Sequence, residues 1–234
     1  MSDRNLIVLK NAQPERALGR SIGYVLLIAT LLAGAFVFQK MTWKSNREMH
    51  TLLESIATVL ALISGAMSLV RYYTKKTITF LLLGTGFLGT ALLNGFHAAI
   101  TSSFLVGRTP SATTALSIWS GITPRLFLSL LMCASLLGWK RELRHSTPGR
   151  REEFFVYVLV GTFTVVSFFF FGVVRLPLQY YPNFAVHHPA LALPGIFFAV
   201  AAVGYWRKGN WKSDDVEHWL MVSLIIGAVS YLTY

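Results

Sequence analysis

The sequence predicts an all-α polytopic transmembrane bundle of seven spans with its N-terminus in the cytoplasm. Three observations lead there. Of the 234 residues, 54% are hydrophobic and only 13% charged, against about 25% charged in an ordinary soluble domain. The apolar residues gather into seven runs of about 20, the length that crosses a bilayer as a helix. Lys and Arg are dense in alternate connections, as the positive-inside rule requires of a chain that threads back and forth. The runs lack the alternating pattern of a β-barrel. Because a backbone in lipid must satisfy its own hydrogen bonds, helices remain.

Residues 1–20 are polar and basic with scattered Leu and Ile. They are expected as a cytoplasmic N-terminal segment, either a plain tail or a short amphipathic helix on the membrane surface, with residues 21–234 forming the transmembrane domain. The first run, 21–38, is long enough to span and has no small-residue cleavage pattern after it, so it is not a signal peptide. The second is 50–70. The third, 77–105, is long enough to tilt or to end in an interfacial turn. It contains GTGFLGTALLNG, where Gly84, Gly86, Gly89 and Ala91 let another helix approach closely. No strand precedes this motif, which argues against a dinucleotide loop.

The fourth run, 115–139, carries Pro124, able to open the local backbone. The fifth, 154–174, holds four consecutive aromatics, Phe168 to Phe171, expected to divide between lipid and core. The connection that follows (RLPLQYYPNFAVHHP) has three prolines and reads as an ordered extended lid. The sixth run is 190–206 and the seventh 216–234, with Asp214, Asp215 and Glu217 at the start of the latter to suit the positive end of the helix dipole. The chain stops inside an apolar run (SLIIGAVSYLTY) without a polar flank. The expectation is an eighth span lost by truncation.

Orientation follows from the cations. Fifteen of the 21 Lys and Arg lie in the N-terminal segment and in the second-to-third, fourth-to-fifth and sixth-to-seventh connections. Five lie in the others (Lys40, Lys44, Arg47, Arg108, Arg175), and Arg125 sits inside the fourth run. This bias puts the N-terminus inside the cell. It also accounts for the net charge of +11 without nucleic acid, for which there is no binding motif. The single cysteine, Cys133, excludes an internal disulfide framework and a CxxC metal site, and its apolar surroundings predict a buried, inert thiol. His145 and His218 fall near the cytoplasmic surface and are expected to be solvated.

On this topology six polar groups from three successive helices share a depth in the outer half of the bilayer: His50, Glu54, Asn94, His97, Trp119 and Arg125. Ionisable residues in a membrane are costly, which makes such a cluster a candidate site. His50 and Glu54 are spaced i,i+4 and share a helix face. Three readings are open. In the first, His50, Glu54 and His97 bind a transition metal such as copper, zinc or iron, with His187 or His188 completing the set, or two histidines hold a haem. In the second, Asn94, Trp119 and Arg125 bind an organic ligand between walls such as Phe96 and Tyr181. In the third, Glu54 pairs with Arg125 and the remaining groups hydrogen-bond between helices.

The stretches MHTLLESIATVLALISGAMSLVRYYTKK, TFLLLGTGFLGTALLNGFHAAITSSF and SIWSGITPRLFLSLLMCASLL resemble bacterial MASE-type membrane-associated sensor domains. These lie N-terminal to histidine kinases and diguanylate cyclases. The resemblance spans residues 49–137 and puts His50, Glu54, Asn94, His97, Trp119 and Arg125 at the matching positions, Asn94 standing where an acidic residue is expected. It implies a sensory input module in the bacterial inner membrane, with a cytoplasmic output domain in cis and a homodimeric assembly. No phosphate loop, GGDEF-like run or phosphoacceptor helix is present, so no catalytic domain is expected in the chain itself. The alternative is a small transporter or a membrane-embedded metalloenzyme. A transporter would show repeats and polar groups reaching both sides. A metalloenzyme needs an open metal position and a base, for which Glu54 is available.

Overall fold

The computed structural model describes residues 3–38, 47–102, 113–142, 149–177 and 189–233. They form seven α-helices: α1 (Asp3–Phe38), α2 (Arg47–Lys75), α3 (Ile78–Thr101), α4 (Thr113–Glu142), α5 (Arg150–Val173), α6 (Pro189–Lys208) and α7 (Asp215–Leu232), with a short 3-10 turn at Asn210–Lys212 before α7. No strand occurs among the described residues. Each predicted apolar run lies on one helix. Six helices, α1 to α5 and α7, are long and apolar enough to cross a membrane, and α6 is not among the six. Residues 3–20 continue α1 without a break. α3 ends at Thr101, short of the predicted residue 105, as Ser102 turns its backbone N–H and its hydroxyl back to the Ala99 carbonyl. α4 runs unbroken through Pro124.

Two compact units make up the chain, residues 43–191 and residues 1–42 with 192–234. In the first, α2, α4 and α5 pack along α3, whose apolar sequence is buried over most of its length. Small residues set the spacing. A Cβ on Gly84 would stand 2.7 Å from Leu69 Cδ2 and 3.0 Å from the Leu69 backbone nitrogen. Reciprocally, a Cβ on Gly65 of α2 would stand 2.8 Å from Leu88 Cγ. Each helix therefore seats a leucine in a glycine notch of the other. Gly86 and Gly89 do the same for Leu131 and Phe127 of α4. The helices close on a core of Tyr72, Leu81, Leu82, Leu93, Phe127, Leu131, Val156 and Val160.

Away from α3 the surface is apolar. α2 exposes Leu52, Leu53, Ile56, Val59, Leu60, Ile63 and Met67, and α5 exposes Phe154, Phe155, Val165, Val166 and Phe169. A contiguous apolar surface of this extent is unlike that of a soluble monomer and suits lipid. The phenylalanine run divides as its position on the helix dictates: Phe169 is 72% exposed and Phe171 only 5%, while Phe168 stacks on Phe96 at 4.7 Å. Cys133 is in no disulfide and is half-buried rather than fully enclosed.

In the second unit α1 packs along α7 and the 3-10 turn. Tyr24 is the anchor. Its ring is buried against Trp206 and Trp211, and its hydroxyl meets His218 Nδ1 at 2.7 Å. His218 is thus engaged by Tyr24 of α1 while remaining partly exposed, rather than simply solvated. His145, its predicted companion at the surface, lies outside the described residues. Arg20 donates to the Trp211 carbonyl at 2.5 Å and pairs with the Asp215 carboxylate. Gly209, at φ +80°, takes the left-handed conformation that ends α6. The acidic start of α7 is divided in use. Asp214 caps the helix by accepting from the Val216 N–H at 2.8 Å, Asp215 holds Arg20, and Glu217 holds Lys208 at 2.6 Å.

Gly84→Ala is expected to lower stability by about 1–3 kcal/mol through overpacking against Leu69. Gly161→Ala in α5, where nothing lies within 4 Å of the added Cβ, is expected to be neutral or slightly stabilising. Reversible unfolding of both variants in detergent checks this.

Candidate functional site

The α2–α3 glycine contact brings the first two turns of α2 against the last two turns of α3. His50 and Glu54 lie on the face of α2 that meets α3, whereas the lipid-facing stripe is carried by neighbours such as Leu52, Leu53 and Ile56. Glu54 is 8% exposed and His97 2%. The His50 and His97 rings make an edge contact at 5.6 Å between centroids. One donor atom from each of His50, Glu54 and His97 lies within 4.8 Å of the other two.

Three further groups fix this trio. Arg125 of α4 reaches Glu54 Oε1 with Nη2 at 2.9 Å and donates Nη1 to the Gly121 carbonyl at 2.5 Å. Asn94 Nδ2 donates to the backbone carbonyl of Glu54 at 3.0 Å and to Thr58 Oγ1 at 3.1 Å, locking α2 to α3 beside the carboxylate. His97 Nδ1 lies 2.7 Å from Ser120 Oγ, and Ser120 Oγ lies 2.6 Å from the Leu116 carbonyl. A hydroxyl has one proton, and Ser120 gives it to Leu116. Ser120 therefore accepts from His97 Nδ1–H, and Nε2 keeps its lone pair. Ligating histidines are commonly oriented by this kind of contact.

Gly121 makes the room. A Cβ there would stand 2.9 Å from Arg125 Nη1 and 3.2 Å from His97 Cε1. Pro124, which removes one helical donor, has its carbonyl contacted by Thr90 Oγ1 at 3.3 Å, so α3 and α4 are also bonded one turn below the site.

Of the residues singled out from the sequence, His50, Glu54, His97 and Arg125 come together, and Asn94 supports them through the α2 backbone. Trp119 is engaged elsewhere. Its Nε1 donates to the Pro177 carbonyl at 3.0 Å, and its ring packs against the cluster of Ile100, Leu116 and Phe171. His187, His188 and Tyr181 lie outside the described residues. Sequence reasoning missed Thr58, Ser120 and Gly121. Thr58 was findable, because His50, Glu54 and Thr58 continue one i,i+4 stripe on an apolar helix. Ser120 and Gly121 carry no such signal; only the approach of α3 and α4 gives them a role.

Among the described residues, an all-helical bundle with an apolar outer surface and a buried ionic cluster at one end of its central helices is the build of a membrane-embedded domain. The chain belongs to the membrane-associated sensor domain family MASE3, whose profile matches residues 41–234 and so takes in the whole cluster. No curated protein and no solved structure matches it.

Asn94→Ala is expected to cost about 1 kcal/mol, the scale of an interhelical hydrogen bond in a membrane. Trp119→Phe is expected to cost a similar amount while leaving ligand binding at the His50–Glu54–His97 cluster unchanged. Unfolding in detergent, paired with metal titration, reads both.

Proposed function

We propose that this sensor domain is the input module of a bacterial signal-transduction protein of the inner membrane and that its stimulus is read at the His50–Glu54–His97 cluster as bound transition metal. The observation that carries this is the convergence of two imidazoles and a carboxylate, from two helices, within 4.8 Å. This donor set suits zinc, copper or iron. A single ion fits better than a haem, which needs a slot for its macrocycle between the imidazoles, where here the two rings touch edge to face. The Ser120 contact supports the same reading, since it leaves His97 a free lone pair.

In this proposal seven helices span the membrane, residues 1–20 lie on the cytoplasmic side, and the cluster lies near the outer face, as the distribution of Lys and Arg supports. A cytoplasmic histidine kinase or diguanylate cyclase in cis, acting as a homodimer, reads a shift between two packings of α2, α3 and α4. A second reading is favoured by one observation, the Arg125–Glu54 contact at 2.9 Å: the cluster is then interhelical glue with no ligand. A metalloenzyme would instead show metal-dependent hydrolysis of lipid-like substrates by the purified protein.

Elemental analysis and a visible spectrum of detergent-purified protein, with His97→Ala beside wild type, test the proposal. Near-stoichiometric zinc, copper or iron, lost in the variant, is the expected result. Absence of metal from protein purified without chelators and then offered each ion would leave the ion-pair reading standing. In the full signalling protein, Glu54→Gln and His97→Ala are expected to abolish the response to metal at unchanged expression.

A further inference from the structure

Glu54 is claimed twice. It belongs to the donor trio with His50 and His97, and it is the carboxylate partner of Arg125. We propose that Arg125 is the resident cation of this site, and that a divalent transition metal displaces it from Glu54 and thereby unties α4 from α2. The inference rests on the metal reading above and adds how occupancy changes the bundle.

The placement of the pair supports this. α2 and α4 both pack along α3, so the guanidinium reaches across the end of α3 to hold the α2 carboxylate. The contact ties the two outer helices to each other without belonging to either interface with α3. The glycine notches that hold α2 to α3 lie farther along the helices, at Gly65 with Leu88 and Gly84 with Leu69. Losing the tie therefore leaves the α2–α3 packing intact.

Charge supplies the drive. With Arg125 on Glu54 the pair is neutral, which suits a site where Glu54 is 8% exposed. A metal held at about 2 Å from a Glu54 oxygen would stand within about 7 Å of the guanidinium in its present position. Three like charges would then share a poorly solvated pocket with one carboxylate, and like charges repel strongly there. Arg125 can withdraw without leaving α4. Its Nη1 already donates to Gly121, one turn back on the same helix, and it occupies the space that the missing Gly121 side chain leaves.

The test is zinc affinity, measured by competition with a chromophoric chelator on the full chain in detergent, for wild type, Arg125→Gln and Arg125→Lys. Removing the competing cation is expected to tighten zinc binding about tenfold or more in Arg125→Gln. Arg125→Lys keeps the charge and is expected to stay within about threefold of wild type. Equal or weaker binding in Arg125→Gln, with wild type still holding zinc, overturns the exchange and makes Arg125 a supporting partner of the ligand carboxylate, while the metal reading survives. Failure of both proteins to bind zinc, copper or iron removes the metal reading and the exchange with it.

A second measurement keeps Arg125 in place and so does not depend on the Arg125 variants folding. Spin labels at exposed Leu53 of α2 and Leu130 of α4, in a Cys133→Ser background, are expected to report a changed α2–α4 distance when zinc is added. An unchanged distance at saturating zinc also overturns the proposal.

Discussion

The close approach of α2 and α3 is the constraint on which the candidate site depends. Lipid supplies no hydrophobic drive between helices, so membrane helices associate through van der Waals contact and interhelical hydrogen bonds. Gly65 and Gly84 permit that contact by admitting Leu88 and Leu69 almost to the backbone. Once the helices are this close, the first turns of α2 have to face the last turns of α3. His50 then meets His97, and the Glu54 carbonyl meets Asn94. Wider spacing would leave the same side chains pointing into lipid, where none of them could stay charged or unbonded at acceptable cost.

Within that frame the polar groups are satisfied pairwise and locally. Asn94 serves a backbone carbonyl and Ser120 serves an imidazole. Arg125 divides its donors between Gly121 and Glu54. Buried polar groups must be paired, and this cluster meets the demand with contacts that join three helices. Those of Asn94 and Ser120 tie α3 to α2 and to α4. The Glu54–Arg125 contact uses the carboxylate that, in the proposed function, a divalent metal would take.

The unit formed by α1, α6 and α7 shows the same physics put to structural use. Arg20 binds the carbonyl and carboxylate groups where the 3-10 turn leads into α7. Tyr24 fills a pocket of Trp206, Trp211 and His218. Cations and aromatic rings with polar edges are at home where a membrane helix meets water. Here they join the first helix to the last, across nearly the whole length of the chain.

Much was legible in the sequence because the membrane imposes strong local rules. Run length and cation asymmetry act within each segment, so they named the helices, and the helix ends came within about five residues except at α1, which begins at Asp3 rather than at residue 21. The i,i+4 spacing of His50 and Glu54 marked one shared face. The small residues of α3 announced a tight interface without naming its partner. Other features depended on which helix faces which. Trp119, on the same helix as Arg125 and close in sequence, turned to Pro177 because α5 and its following segment lie on that side of α4. Ser120 and Gly121 became part of the site only because α3 passes there. By itself the sequence determined that this is a helical membrane domain with costly polar groups at one end of three helices, since hydropathy and charge are properties of residues. Only the tertiary structure decided which of those groups meet, because meeting depends on interhelical spacing and rotation, and in this bundle glycines in two different helices set both together.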